Sequence, residues 1–268
     1  MKPNFTNNQY AIITGAGQGL GKEYALALSR RKVNTLLVDL HDKGLEKLTQ
    51  EIHDKYETQS HYYETDLSIK DNVISFANWA NDNFDICMLI NNVGLGGTKE
   101  FIQADLEYIN SIIQLNVMTT SILTHQVLPN LLKQAEGYIL NVSSISAFSP
   151  TGYKTVYPAS KVFINYFSRG LCQELSQTNV FVSVVNPGPM KTNDDITRRI
   201  NKQGFIARFG ILSAEEVAEI SLRRLFQRSK IILLNKTNSF RRILMKIIPI
   251  EIRLPLLTKI TRREINRE

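Results

Sequence analysis

Short runs of aliphatic and β-branched residues alternate along this chain with longer stretches in which apolar positions recur every three or four residues. The runs Tyr10–Thr14, Asn34–Asp39, His61–Thr65, Ile86–Asn91, Gly137–Ser143, Val180–Asn186 and Ile231–Asn235 predict strands. Leu20–Arg31, Lys43–Tyr56, Asn72–Asn83, Leu106–Lys133 and Tyr157–Gln177 predict helices between them. Nearly continuous apolar strands are those buried on both faces. The alternation therefore predicts a doubly wound α/β fold, a parallel sheet of about seven strands with helices on either side. In such sheets ligands bind in the crevice at the carboxyl ends of the strands.

No repeat, low-complexity tract or interdomain linker interrupts the pattern, so residues 1–238 read as one domain, with 190–212 as a variable loop and 239–268 as a tail. In the tail, Phe240, Ile243, Leu244, Ile247 and Ile248 fall at helical spacing, with Arg241, Arg242 and Lys246 on the remaining face. That is a basic amphipathic helix, halted by Pro249. A second such stretch, Ile252–Ile260, is interrupted by Pro255. Packing on the domain or on a second subunit is the default expectation for this tail. Peripheral contact with an anionic membrane is the alternative. Nucleic acid is the weakest candidate, because no aromatic residues interleave the charges for base stacking.

Composition sharpens this picture in one respect. The 268 residues carry a net charge of +7, and residues 221–268 alone hold 13 Lys/Arg against 3 acids, which leaves residues 1–220 slightly acidic. The basicity thus belongs to the tail. Cys87 and Cys172 lie in apolar surroundings and read as two buried thiols, and the four histidines have no metal-ligand spacing, so no metal is expected. The polar first ten residues lack the apolar core of a signal peptide, and no apolar run reaches the length of a membrane span. A cytoplasmic protein, with peripheral contact to a membrane surface as the alternative, is the expectation.

Candidate chemistry begins directly after the first strand, at Thr14-Gly15-Ala16-Gly17-Gln18-Gly19-Leu20-Gly21. Glycines let a backbone turn sharply and approach a phosphate, and the helix that follows offers free N–H groups and the positive end of its dipole. A glycine-rich turn between strand and helix predicts a Rossmann-type dinucleotide site. The second strand ends at Asp39, 18 residues past Gly21, where a carboxylate can accept from both ribose hydroxyls and would repel a 2′-phosphate. No cation immediately follows Asp39, so NAD(H) is favoured over NADP(H).

Three later segments add a specific chemistry. They are Asn91-Asn92-Val93-Gly94, Asn141-Val142-Ser143-Ser144 and Tyr157-Pro158-Ala159-Ser160-Lys161. With the Thr-Gly-x-x-x-Gly-x-Gly turn, these resemble the compact single-domain branch of the short-chain dehydrogenase/reductase family over residues 9–235. A phenol of pKa about 10 is a poor base near neutrality. A lysine one helical turn on can favour its phenolate, so that Tyr157 exchanges a proton with an alcohol or ketone oxygen. Ser144 would hydrogen-bond that same oxygen.

The resemblance implies further roles. Ser144 is chosen over Ser143 by its 13-residue separation from Tyr157. Asn116 completes a catalytic tetrad by holding a water that links Lys161 to solvent. Asp66, with Leu67, meets the adenine, and Asn92 the adenosine side. Leu40, Gly94, Pro187 and Gly188 join the cofactor surface, and Thr192 bonds the carboxamide. Tyr157 and Lys161 also touch the dinucleotide. Phe148, Tyr153, Met190 and Phe205 are the candidate substrate-pocket residues. An apolar alcohol–ketone pair, fatty-acyl or steroid-like, is the implied substrate class, and a homodimer or homotetramer the implied assembly. A protein that senses NAD(H) and signals through its basic tail is the competing reading.

Overall fold

The computed structural model describes residues 5–191 and 211–265. Seven parallel strands form one sheet. β1 (Gln9–Thr14), β2 (Asn34–Asp39), β3 (Ser60–Glu64), β4 (Asp85–Asn91), β5 (Gly137–Val142) and β6 (Val180–Val185) are joined at the far edge by the short β9 (Ile231–Ile232). Their order is β3-β2-β1-β4-β5-β6-β9. The direction of winding reverses between β1 and β4, which opens a crevice at their carboxyl ends. Met190–Lys191 (β7) and Leu212–Ser213 (β8) form a separate small parallel pair at the two ends of the variable loop.

Both faces of the sheet are covered, which explains why its central strands are apolar throughout. On one side α1 (Gly19–Ser29), α2 (Leu45–Tyr56) and α7 (Ala214–Phe226) bury Tyr24, Leu28, Leu48, Ile52, Val217 and Leu222. On the other, α3 (Lys70–Asn83), α5 (Thr120–Lys133) and α6 (Val156–Glu174) bury Phe76, Leu123, Val127 and Cys172. Both cysteines are buried free thiols, and burial pushes that of Cys87 up to about 12.

Two departures from the sequence reading bear on the site. The continuous helix expected over Leu106–Lys133 is divided into α4 (Leu106–Ile113), a π-helical stretch Gln114–Thr119, and α5. A π stretch shifts the side chains it carries around the axis, and this one carries Asn116. The tail forms two helices, α8 (Lys236–Ile247) and α9 (Ile250–Ile265). α9 runs through Pro255 instead of breaking there. No helix among the described residues is long and apolar enough to cross a membrane.

Candidate active site

The glycine turn connects β1 to α1 in a shape that only glycine accommodates. Gly15 and Gly19 take φ values of +66° and +56°. A Cβ on Gly21 would stand 1.9 Å from the Gly15 carbonyl oxygen, so the helix can lie against the turn only without one. Thr14 and Asn92 lock the turn to β4. The Thr14 hydroxyl accepts from the Asn92 and Val93 N–H groups, both at 2.9 Å. The Asn92 amide donates to the carbonyls of Thr14 at 2.9 Å and Gly15 at 3.2 Å. Asn92 thus positions the glycine turn, a task that the resemblance did not assign to it.

A cavity of about 350 Å³ opens above this turn, lined by Gly15, Gln18, Gly19, Leu20, Asp39, Leu40, Asp66, Leu67, Asn92 and Gly94 among others. These sequence-predicted residues come together at the carboxyl ends of β1, β2 and β4. The Asp39 carboxylate accepts from the Gly17 N–H at 2.9 Å and from the Leu40 N–H at 2.8 Å, tying β2 to the glycine turn. Lys43 lines the same cavity, a residue the sequence reading passed over. The chain turns left-handed at Asp42 and Gly44 and brings Lys43 so close that a Cβ on Gly17 would lie 2.5 Å from the Lys43 Cβ. The volume, the missing Cβ atoms and the exposed backbone suit a dinucleotide.

Next to this cavity lies the second cluster. β5 delivers Ser143 and Ser144, and their environments differ. Both are buried, but the Ser143 hydroxyl donates to the Lys161 carbonyl at 2.8 Å, whereas Ser144 starts a 3-10 turn (Ile145–Phe148) and interacts with Tyr157. Opening α6, Tyr157 and Lys161 follow one turn apart, and the Lys161 ammonium stands 5.8 Å from the Tyr157 ring centre. Burial lowers the Lys161 amine to about 8, and its Nζ donates to the Val142 carbonyl at 3.1 Å. Burial raises the Tyr157 phenol, and the hydrogen bond with Ser144 opposes that rise.

Asn116 is fully buried. Its side chain pairs with the Leu95 backbone in both directions at 2.9 Å and donates to the Ser160 hydroxyl at 2.8 Å. Its amide therefore holds the segment after β4 against α6. Gly96, which the sequence reading overlooked, faces the Tyr157 ring: a Cβ there would come within 2.9 Å of it. A network of buried amides and hydroxyls, Thr124–Asn91–Asn141–Ser168, ties β4 and β5 to α5 and α6 beneath the site.

The candidate substrate-pocket residues divide. Tyr153 takes a left-handed φ of +64° and, with Lys99, Phe101 and Tyr108, borders a small hollow beside Tyr157. Phe148 offers its carbonyl to Arg253 of α9 at 2.9 Å. Met190 packs against the core. Gly188 lies beside Asn238 of α8. Phe205 and Thr192 lie outside the described residues, as does most of the variable loop. Among the described residues no cluster of His, Cys, Asp and Glu could hold a metal.

The sequence matches the short chain dehydrogenase family over residues 9–203. It is 33% identical over 182 residues to a very-long-chain 3-oxoacyl-CoA reductase of Anas platyrhynchos, covering 66% of this chain and 58% of that protein. It is 30% identical over 219 residues to a hydroxysteroid dehydrogenase-like protein 1 of Gallus gallus, covering 81% of this chain and 65% of that one. The chain thus matches less than two thirds of the length of either relative. A short-chain dehydrogenase of Sphingobium yanoikuyae, solved in complex with NADPH, superposes with a TM-score of 0.76 at 25% identity, over 90% of this chain and 96% of that one.

Proposed function

The chain belongs to the short-chain dehydrogenase family, and on that basis we propose that it is an oxidoreductase that interconverts an alcohol and a ketone with a nicotinamide dinucleotide. The observation that carries this reading is the convergence of Ser144, Tyr157 and Lys161 beside a glycine-lined cavity at the carboxyl ends of the strands. When bound there, the nicotinamide supplies or accepts the hydride. The glycine turn and the start of α1 would hold the pyrophosphate, and Asp39 would take the adenosine ribose.

Tyr157 gives its phenolic proton to the carbonyl oxygen during reduction and takes it back during oxidation. Ser144 donates to the same oxygen as charge develops there. Lys161, whose amine burial has brought to about 8, lies 5.8 Å from the Tyr157 ring centre and would hold a ribose hydroxyl of the bound dinucleotide. Asn116 keeps the Leu95 segment in register with α6, so that these groups face one another. NAD(H) is the preferred cofactor in this reading, because the Asp39 carboxylate disfavours a 2′-phosphate. Lys43 beside it keeps that preference moderate.

The substrate is a largely apolar ketone or alcohol of the acyl or steroid kind. The names of the two relatives support this, as does Phe101 beside Tyr157. Exposed Phe163 and Tyr166 on α6 are consistent with a homo-oligomer. The test is consumption of NADH or NADPH by purified protein against a panel of apolar ketones. Tyr157→Phe should lower turnover by about 100-fold or more, a far larger effect than on dinucleotide affinity. Near-native turnover in that variant would refute the assignment, and failure to bind either dinucleotide would refute the reading as a whole.

A further inference from the structure

The tail helices turn their apolar residues outward. On α8, Phe240, Ile243, Leu244 and Ile247 recur at i, i+3, i+4 and i+7 and are all exposed, Phe240 by 63% and Ile247 by 71%. On α9, Ile252, Leu256 and Ile260 form a second exposed stripe, with Ile250 at the start of the helix. The opposite face of α9 is the one that meets the domain. There Arg253 reaches the Phe148 carbonyl, the Thr258 hydroxyl accepts from the Gly152 N–H at 3.1 Å, and Thr261 is buried. Of the two coverings expected for this tail by default, its own domain or a second subunit, the domain does not take the apolar face of α8. Two adjacent helices present apolar stripes to the outside, larger than the scattered single residues of an ordinary surface.

Charge identifies what covers them. Residues 236–268 carry nine Lys/Arg against three acids, a balance of +6, and Lys259 and Arg262 are exposed beside the α9 stripe, with Glu251 an exposed acid at its start. A second copy seated on the same patch by two-fold symmetry would bring two strongly basic segments together, and their repulsion opposes that contact. An anionic lipid surface satisfies both features, since it accepts apolar side chains at the acyl boundary and attracts the surrounding cations.

We propose that α8 and α9 form a docking surface for an anionic membrane. On its other face α9 is tied through Arg253–Phe148 and Thr258–Gly152 to the segment between Ser144 and Tyr157. The proposal does not depend on the assigned reaction, because docking is read without substrate.

The test is co-flotation of the full chain with vesicles of phosphatidylcholine alone or of phosphatidylcholine doped with phosphatidylserine, at low and high salt. Wild type should float with the anionic vesicles only, and high salt should release it. The double variant Ile243→Asp/Ile247→Asp, and separately Leu256→Asp, should lower vesicle binding by about tenfold or more while thermal stability and dinucleotide binding remain as in wild type. Lys259→Glu/Arg262→Glu should weaken binding at low salt and leave little for salt to remove. Failure of wild type to float on anionic vesicles would overturn the proposal, as would equal binding to neutral ones. Light scattering supplies a further check: if the Asp variants dissociate an oligomer and vesicle binding is absent, the patch is covered by a second copy and the proposal falls.

Discussion

Asn116 and Leu95 hold each other by a reciprocal pair of hydrogen bonds, Leu95 N–H to Oδ1 and Nδ2 to the Leu95 carbonyl, each 2.9 Å long. A side-chain amide carries a donor and an acceptor on separate atoms, so it can answer a backbone N–H and C=O by two parallel bonds, and the π stretch in the Leu106–Lys133 region carries it to this point. Asn116→Ala leaves the Leu95 groups and the Ser160 hydroxyl without this partner. The expected cost is about 1–3 kcal/mol of stability, read as a thermal midpoint lowered by about 2–4 °C per kcal/mol. Turnover should fall with it, because Gly94 and Gly96 sit on the segment that Asn116 holds. An Asn116→Ala protein that keeps its melting temperature would show that the pair is dispensable.

Two glycines separate binding from chemistry. The methyl of Gly21→Ala would meet the Gly15 carbonyl oxygen at 1.9 Å, backbone against backbone, with no rotamer to relieve it. NADH affinity should fall about 100-fold or more, equivalent to roughly 2.7 kcal/mol. By contrast, the methyl of Gly96→Ala would press on the Tyr157 ring at 2.9 Å. Displacing a reacting group by a fraction of an ångström lowers turnover by roughly 10- to 100-fold, and NADH affinity should stay near that of wild type. Calorimetric titration and steady-state rates on both variants distinguish these effects, and the same defect in both would count against the division.

Much of this was legible in the sequence, for physical reasons that differ from residue to residue. β2 was located at both ends because its apolar run is bounded by polar turns, and Asp39 was found because a strand end is a local feature. The division of the Leu106–Lys133 helix was not legible: a π stretch of six residues changes the helical period too briefly to disturb the apolar pattern. Lys43 was missed because its approach to Gly17 depends on left-handed turns at Asp42 and Gly44, which no periodicity records. The amphipathicity of α8 was legible, but the side it turns to solvent was not. That orientation is set by contacts such as Asn238 against Gly188, distant in sequence.

Lys161 gives the stability a pH dependence of definite sign. Its amine is lowered from 10.5 to about 8 in the folded protein by burial. Between these values the unfolded chain binds more protons than the native one, so this group adds stability as pH rises through the window and loses it as pH falls through 8. Below 8 both states are protonated, and the native state carries the full cost of a buried ammonium. Other groups titrate in the same range, among them the Cys87 thiol, so the comparison must be made against Lys161→Met. From pH 8 to 10, denaturant unfolding should show wild type gaining stability relative to that variant. A constant difference across the window would mean that Lys161 is not depressed.

Asp39 and Lys43 place opposite charges at the adenosine end of the cavity. Both Asp39 oxygens already accept backbone N–H groups, which fixes the carboxylate where ribose hydroxyls can still donate to it and where a 2′-phosphate would be repelled. Lys43 is held beside the same turn and can offer its ammonium to that phosphate. Wild type should therefore bind NADH more tightly than NADPH, by a moderate ratio. Lys43→Ala should widen the ratio by about tenfold, some 1.4 kcal/mol, through loss of NADPH affinity. Asp39→Ala should narrow or invert it, partly because NADH loses its ribose acceptor. Titration of both variants with both dinucleotides decides the matter. If Lys43→Ala weakens NADH and NADPH equally, the lysine serves the shared pyrophosphate, and Asp39 alone sets the preference.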